Sequence, residues 1–523
     1  MKALRLLLLA CACALVLSGS AAAKMSNDFA GQHRQVFKVV VVHGLAIGDL
    51  PVLATEGAVG LVVPNAGPRA SQASAFAGMV RGILYNTRLP RPHDSVLIHV
   101  QQAGEIPAHG PAIVIGLPPA TSAPNDRRYP IAVIGRGYQG VLQSSLTRVP
   151  GVVSIADVAR TALQTPHSLT WKRDGGSVAT LYRLEDQIQV ARSTTMAASV
   201  LLLILLVGFA LFYPRGAPVA LGASLAANLA LGWFPNGDAG PRVAIVGLCC
   251  VVGGAWGPRL LRTGTLLGLA LVGMLAAYAV SMLVDAASLS FAPMGPELTS
   301  RFFGVSNLLE SLLLGPALLG ARFLAARYGP VAFAAVGALT LATIAENQLG
   351  SDGGGAIVVG VAFALLAVQM IGARRRFTLP ALGLAALVVL ALVNLDAAAS
   401  RPDHLRGAVH GGLSGLANVA ANRVPLAYAR MLEQWWLVFP GIAALVIGGL
   451  VARRGRSRHE RAVAVALLAG LAASLVVNDS PGPVLMGGFT AVMAIDGGLV
   501  HRALALPVLQ RLVPAFAAAP QEP

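Results

Sequence analysis

Charge is scarce in the second half of this chain, so an ionisable side chain inside an apolar run stands out. Glu310 lies within the run 302–321, with Asn307 three residues before it on the same helical face and Arg301 at the start of the run. A carboxylate in hydrocarbon is costly and is a functional candidate by default. Read as a helix from residue 302, the run carries Glu310 about 12 Å deep at 1.5 Å per residue. In the functional reading, Arg301 and Asn307 bind a substrate and Glu310 is an acid or base. In the alternative, Asn307 and Glu310 are packing groups that hydrogen-bond neighbouring helices. Asp496 lies at the inner end of the last run, where a side chain can reach the interface.

Further candidates lie in the connections between apolar runs. Glu346-Asn347-Gln348-Leu349-Gly350-Ser351-Asp352-Gly353-Gly354-Gly355 is a tight connection rich in acids and glycine. Asn478-Asp479-Ser480-Pro481-Gly482-Pro483 is another. Asn, Asp and Gly are also ordinary turn formers, so both segments carry a binding reading and a plain turn reading. The longest connection, 396–434, holds an amphipathic stretch with Asp403, Arg406 and His410 on its polar side and His404 beside them. In a helix lying in the interface plane, arginines such as Arg401, Arg406 and Arg423 would clamp a lipid phosphate, and His404 or His410 would move a proton. The alternative is a simple interfacial anchor, with Trp435 and Trp436 as its aromatic belt. The sequence thus nominates Glu310, Asp352, His404 and His410 for chemistry. It nominates Arg301, Asn307, Glu346, Asn347, Asp403, Arg406, Asn478 and Asp479 for binding.

The elements that must position these residues follow from composition. Of the 523 residues, 55% are hydrophobic and 12% charged, about half the charge of a soluble domain. From Thr194 onward, apolar runs near the length of a spanning helix recur. We expect eleven spans, near 196–213, 217–234, 243–257, 265–284, 302–321, 330–346, 355–372, 378–395, 435–452, 462–477 and 483–500. Arg215, Arg259, Arg262, Arg322, Arg327, Arg374 to Arg376 and Arg453 to Arg461 fall in alternate connections, which assigns those to the cytoplasm. The net charge of +16 is then topology rather than nucleic-acid binding. The four cysteines offer no metal spacing or disulfide framework, and no cofactor is expected.

The start of the chain reads as an export signal over residues 1–23. Lys2 and Arg5 form its basic flank, Leu6 to Leu17 its apolar stretch, and Ala21-Ala22-Ala23 its cleavage site. Residues 24–193 alternate strand-like and helix-like segments and predict an extracytoplasmic α/β domain. Phe37 to Val42 is a continuous apolar and β-branched run broken only by Lys38, the pattern of a strand buried on both faces. Further strands are expected at 60–63, 95–100, 112–115 and 131–134, and a helix at 155–163. The membrane domain covers 194–502, and 503–523 is a cytoplasmic tail. The fold class is therefore an α/β extracytoplasmic domain followed by an all-α polytopic membrane domain.

Residues 38–83 and 137–163, the latter with Pro150-Gly151-Val152 and Asp157, Thr161 and Leu163, resemble the alkaline phosphatase and sulfatase superfamily. That family places a metal-binding Asp after the first strand and a hydroxyl or thiol nucleophile further on. Here His43 stands at the first place, and only Ser71 could serve at the second. The resemblance therefore implies a degenerate, non-catalytic domain without metal. The layout as a whole resembles a group of uncharacterised bacterial envelope proteins. In the membrane part, Arg301-Phe302-Phe303-Gly304-Val305-Ser306-Asn307 followed by Ser351-Asp352-Gly353 resembles O-antigen ligases and polymerases, with Asp352 where those enzymes carry Arg. That resemblance implies an enzyme handling a polyprenyl-phosphate-linked glycan at the outer face of a bacterial inner membrane. Two other classes stand beside it. One is a transporter or lipid translocase coupled through Glu310 and Asp496. The other is a scaffold whose outer domain binds an envelope protein. Expected partners are a membrane lipid or lipid-linked glycan, not nucleic acid.

Overall fold

The computed structural model describes residues 37–84, 97–106, 110–165, 169–173, 176–299, 301–346, 349–350, 353–371, 429–433, 435, 438, 441–442, 458–478 and 480–495. The first part is an α/β domain built on one mixed sheet, and the remainder is helical. The sheet runs β10(Thr170–Lys172), β8(Gly140–Gln143), β2(Gly57–Val63), β7(Tyr129–Ile134), β5(Ala112–Ile115), β1(Lys38–Val42), β4(Val100–Ala103), with β9(Val152–Ser154) also on β2. β1 is parallel to both its neighbours, whereas β7 runs antiparallel to β2 and β5. A two-stranded ribbon, β3(Arg69–Ala70) with β6(Ala123–Pro124), stands apart.

The apolar run at 37–42 is buried on both faces, as its pattern requires. Successive side chains point to opposite faces of a strand. Val40 and Val42 pack on one side with Leu50 and Leu53 of α1(Leu50–Glu56) and with Leu181, Leu184 and Ile188. Val39 and Val41 pack on the other with Met79 and Val80 of α2(Gln72–Arg81) and Val158 and Ala159 of α3(Ala156–Ala162). Strands expected at 112–115 and 131–134 and the helix at 155–163 fall where the sequence puts them, with ends shifted by a residue or two. The strand expected at 95–100 instead begins at Val100, and β8, β9 and β10 are too short to carry a periodic signal.

The helix α4(Ser177–Phe212) belongs to both halves. At 36 residues it is about 54 Å long. Its first part carries Arg183, Glu185, Asp186 and Arg192 and covers the sheet, and Met196 to Phe212 is uncharged. The helical part continues with α5(Ala217–Trp233), α6(Ala239–Leu260), α7(Gly264–Val284), α8(Asn307–Tyr328), α9(Pro330–Ala345), α10(Gly353–Ile371), α11(Arg458–Val477) and α12(Pro481–Ile495).

Among the described residues, four of these helices, α4, α6, α7 and α8, are long and apolar enough to cross a membrane. Their length and composition make this a membrane-embedded protein. The expected count of eleven spans is not what these residues hold. The other five helices are apolar but shorter, with apolar parts of 15–17 residues. These reach about 22–26 Å, against a hydrocarbon core of about 30 Å. Apolar windows read from sequence had absorbed turn residues such as Glu346, which lies outside the helices. The expected spans at 378–395 and, for the most part, 435–452 lie outside the described residues.

α8 is the axial helix of the bundle. Its apolar window is 83% buried, against 22–44% for the other three long helices. It also starts later than expected. Gly304 takes φ +78°, a left-handed conformation, and Ser306 caps the helix by accepting from the Leu309 N–H at 3.1 Å. Residues 302–306 are therefore not helical, and the depth estimated for Glu310 on that basis does not hold.

Candidate functional site

Glu310 lies in the first turn of α8 and is fully buried. The positive end of the helix dipole at that position favours a carboxylate. Two donors reach it from the end of α11. The Asn478 Nδ2 donates to Oε2 at 3.0 Å, and the Ser474 hydroxyl donates to Oε1 at 3.4 Å. Asn478 Nδ2 also donates to Ser474 Oγ at 2.8 Å. Their spacing of four residues puts both side chains on one face of the helix end. α12 also packs on α8, where Gly487 brings its backbone close. A Cβ at Gly487 would stand 2.5 Å from the Leu308 carbonyl oxygen. α11 therefore meets the carboxylate through Ser474 and Asn478, while α12 packs on the Leu308 and Ser311 side of α8 through Gly487.

The rim of this site faces the α/β domain. Arg301 is half-buried and folds back on its own loop, Nη1 donating to the Val305 carbonyl. The Val305 N–H donates to the Gly350 carbonyl at 3.1 Å, tying the 301–306 loop to the turn before α10. Gly304 lies against that same turn, and a Cβ there would meet the Gly350 oxygen at 2.3 Å. Glu346 is half-exposed beside it, its carbonyl accepting from the Leu349 N–H at 3.0 Å. On another side, half-buried Arg430 donates through Nη1 to Ser480 Oγ, two residues beyond Asn478.

Of the residues nominated from sequence, the structure joins Glu310 directly to Asn478, and it sets Arg301 and Glu346 on the two loops that meet at Gly304. Asn307 is half-exposed and shares no described hydrogen bond with Glu310; its carbonyl accepts from the Ser311 hydroxyl at 3.0 Å. The described donors to Glu310 come from α11. Asn347, Asp352, Asp403, His404, Arg406, His410, Asp479 and Asp496 lie outside the described residues. Sequence reading missed Ser474 and Arg430. Ser474 was within reach as the residue four before Asn478, whereas Arg430 is 50 positions from Ser480 and gave no local signal.

The α/β domain's own candidates make local hydrogen bonds. The Ser71 hydroxyl caps α2, accepting from the Ser74 N–H at 3.2 Å, and Ser74 Oγ accepts from the Ser71 N–H at 3.0 Å. His43 is exposed at the end of β1, its Nε2 3.3 Å from Gln102 Oε1. Asp157 is fully buried and fixes the corner between β9 and α3. Its Oδ2 accepts from the Ser144 hydroxyl at 2.7 Å and the Ser154 N–H at 2.8 Å. Burial pushes its carboxyl up to about 6, against the lowering effect of those two bonds. Thr161 holds the same corner, donating to the Asp157 carbonyl at 2.8 Å and accepting from the Leu169 N–H at 3.0 Å.

No protein-family model, curated protein or solved structure matches the chain. The functional reading therefore rests on these residues alone.

Proposed function

We propose that this protein binds an anionic lipid headgroup, such as the phosphate of a polyprenyl-phosphate-linked glycan, at the end of the bundle beneath the α/β domain. We propose further that it moves or hands on that lipid rather than altering it chemically. The observation that carries this reading is the complete burial of Glu310 on the axial helix. A general acid or base must come within hydrogen-bond reach of the group it serves. Glu310 is fully buried and held by Asn478 and Ser474. A carboxylate sealed in one state and opened in another suits a transporter or translocase. Arg301 and Arg430 sit at the rim, and guanidinium is the side chain best matched to phosphate.

The membrane we assign is the inner membrane of a bacterium, with the α/β domain outside. In support, Arg215, Arg259, Arg262, Arg322 and Arg327 all fall at helix ends opposite the α/β domain, as cytoplasmic loops require. We read the α/β domain itself as a degenerate relative of the alkaline phosphatase superfamily. Ser71 spent on a helix cap and Asp157 spent on a corner both fit that reading.

The test is native mass spectrometry of the detergent-purified protein with added polyprenyl phosphate and, separately, a neutral polyprenol. The wild type should retain the phosphate and not the alcohol. The double variant Arg301→Gln, Arg430→Gln should bind it at least tenfold more weakly. Equal retention of the two lipids, or an unaffected double variant, would sink the proposal. Chemical conversion of a lipid-linked glycan by the purified protein would replace the translocase reading with an enzyme.

A further inference from the structure

Residues 285–299 and 301–306, between α7 and α8, are not helical, yet most of them are buried. Their side chains belong to two different cores. Ala287, Leu298 and Phe302 pack with Val40, Leu45 and Leu61 of the α/β domain. Leu289, Met294 and Val305 pack into the helical bundle. A connection shared between two cores cannot stay in place if one core moves against the other, because packed interiors do not stretch.

Each side also grips the segment through polar contacts. From the α/β domain, Arg128 Nη2 donates to the Leu298 carbonyl at 3.3 Å. The Arg148 guanidinium lies over the Phe303 ring, 4.1 Å from its centroid. From the bundle, Asn228 Oδ1 accepts from the Met294 N–H at 2.8 Å, and buried Arg242 donates to the Phe291 carbonyl. The segment then ends on Ser306, whose hydroxyl donates to the Met294 carbonyl at 3.0 Å while capping α8. Four residues on is Glu310, whose N–H donates to the Ser306 carbonyl at 2.8 Å. An unbroken chain of described contacts runs from the α/β domain to the first turn that carries the buried carboxylate. α4 supplies a second, stiffer tie, with Leu184 and Ile188 in one core and Leu202 and Leu206 in the other.

We propose that the α/β domain is the latch of the Glu310 site. Docked on residues 298–303, it holds the Ser306 cap and the first turn of α8 against Ser474 and Asn478, and the carboxylate is sealed. A ligand or partner that shifts the domain withdraws Arg128 and Arg148, frees the segment and opens the site to water. Arg128 and Arg148 are positioning residues in this scheme, acting on Glu310 only through the segment between them. The inference goes beyond lipid binding, since it concerns what opens the site whatever the site takes.

The experiment uses the intact protein in detergent with no lipid added, so its outcome is separate from that of lipid binding. A water-soluble carbodiimide with an amine nucleophile labels accessible carboxyls, and mass spectrometry of the peptide carrying Glu310 gives the labelling rate. Arg148→Ala and Phe303→Leu should each raise that rate roughly two- to fivefold. That factor corresponds to about 0.5–1 kcal/mol of cation–π contact at 1.4 kcal/mol per tenfold. Arg148→Lys, which keeps a cation over the ring, should fall between Arg148→Ala and the wild type. Arg136→Ala, on the exposed surface of the α/β domain, should match the wild type. Hydrogen exchange should show amides of 296–306 loosened in Arg148→Ala while those of β2 and β7 stay protected. Wild-type labelling rates in both seam variants would overturn the latch. So would loss of protection spread evenly through the sheet, which would mean that Arg148 merely stabilises its own domain.

Discussion

Replacing Glu310 by Gln and by Ala separates what its charge does from what its hydrogen bonds do. In Glu310→Gln, volume is kept and the side-chain carbonyl can still accept from Asn478. Lost are the charge-assisted character of that bond and the favourable interaction with the α8 dipole, the latter about 0.3–1 kcal/mol. Removal of a charge from a desolvated position offsets part of the loss. We expect a net change within about 1 kcal/mol. Glu310→Ala is different. Asn478 Nδ2 keeps Ser474 Oγ at 2.8 Å but loses the oxygen at 3.0 Å. One buried amide N–H is then left without its acceptor, at about 1–3 kcal/mol, and the emptied space adds to this. The Ala variant should therefore be less stable than the Gln variant by about 1–3 kcal/mol. The assay is reversible unfolding of the purified protein in detergent, with lipid binding measured on the same preparations. Both variants should alter function, the Gln variant at near-normal stability. If Gln and Ala are equally stable, the carboxylate is not held by Asn478, and the site is wrongly drawn. If Gln leaves function whole, the charge serves nothing and Glu310 is a packing group.

Asp157→Asn should flatten part of the pH dependence of the α/β domain. The folded carboxyl is raised to about 6 from an ordinary 3.8, so its stabilising effect is complete below pH 3.8 and is lost as pH rises through 6. The wild-type domain should gain up to about 3 kcal/mol from this group between pH 7 and pH 4, and the variant should not, as read from hydrogen exchange of β2 and β7 amides. Gly304→Ala should cost about 2–4 kcal/mol in unfolding of the intact protein, since φ is +78° and the new Cβ would strike the Gly350 oxygen. Gly237→Ala, at φ +104° in open space, isolates the strain alone and should cost about 1 kcal/mol. Arg242→Lys should lower unfolding stability by about 1–3 kcal/mol, because a point ammonium cannot reach the carbonyls of Leu231, Pro235 and Phe291 together.

Some of this protein could be read along the chain because the physics is local or strictly periodic. The run at 37–42 had to be a strand covered on both sides, since an exposed face of alternate valines would be costly. Apolar runs near 20 residues had to be membrane helices of some kind, and the scarcity of charge within them made Glu310 conspicuous. Asn478 was legible as a polar residue in a tight turn. The number of true spans was not, because helix ends are set by caps and turns. Gly304 and Ser306 trim one run from its start, and neighbouring windows absorb residues that never become helical. Nor could the sequence reveal that α4 would serve two cores, or that most described residues of the 285–306 connection would be buried between them instead of solvated as a loop. Both depend on which surfaces meet when the chain closes, a matter of pairwise packing between residues far apart. Glu310 shows the division most plainly. Its rarity is written in the sequence, but Ser474 and Asn478 lie more than 160 positions away, and only the packing of α11 on α8 brings them to its oxygens.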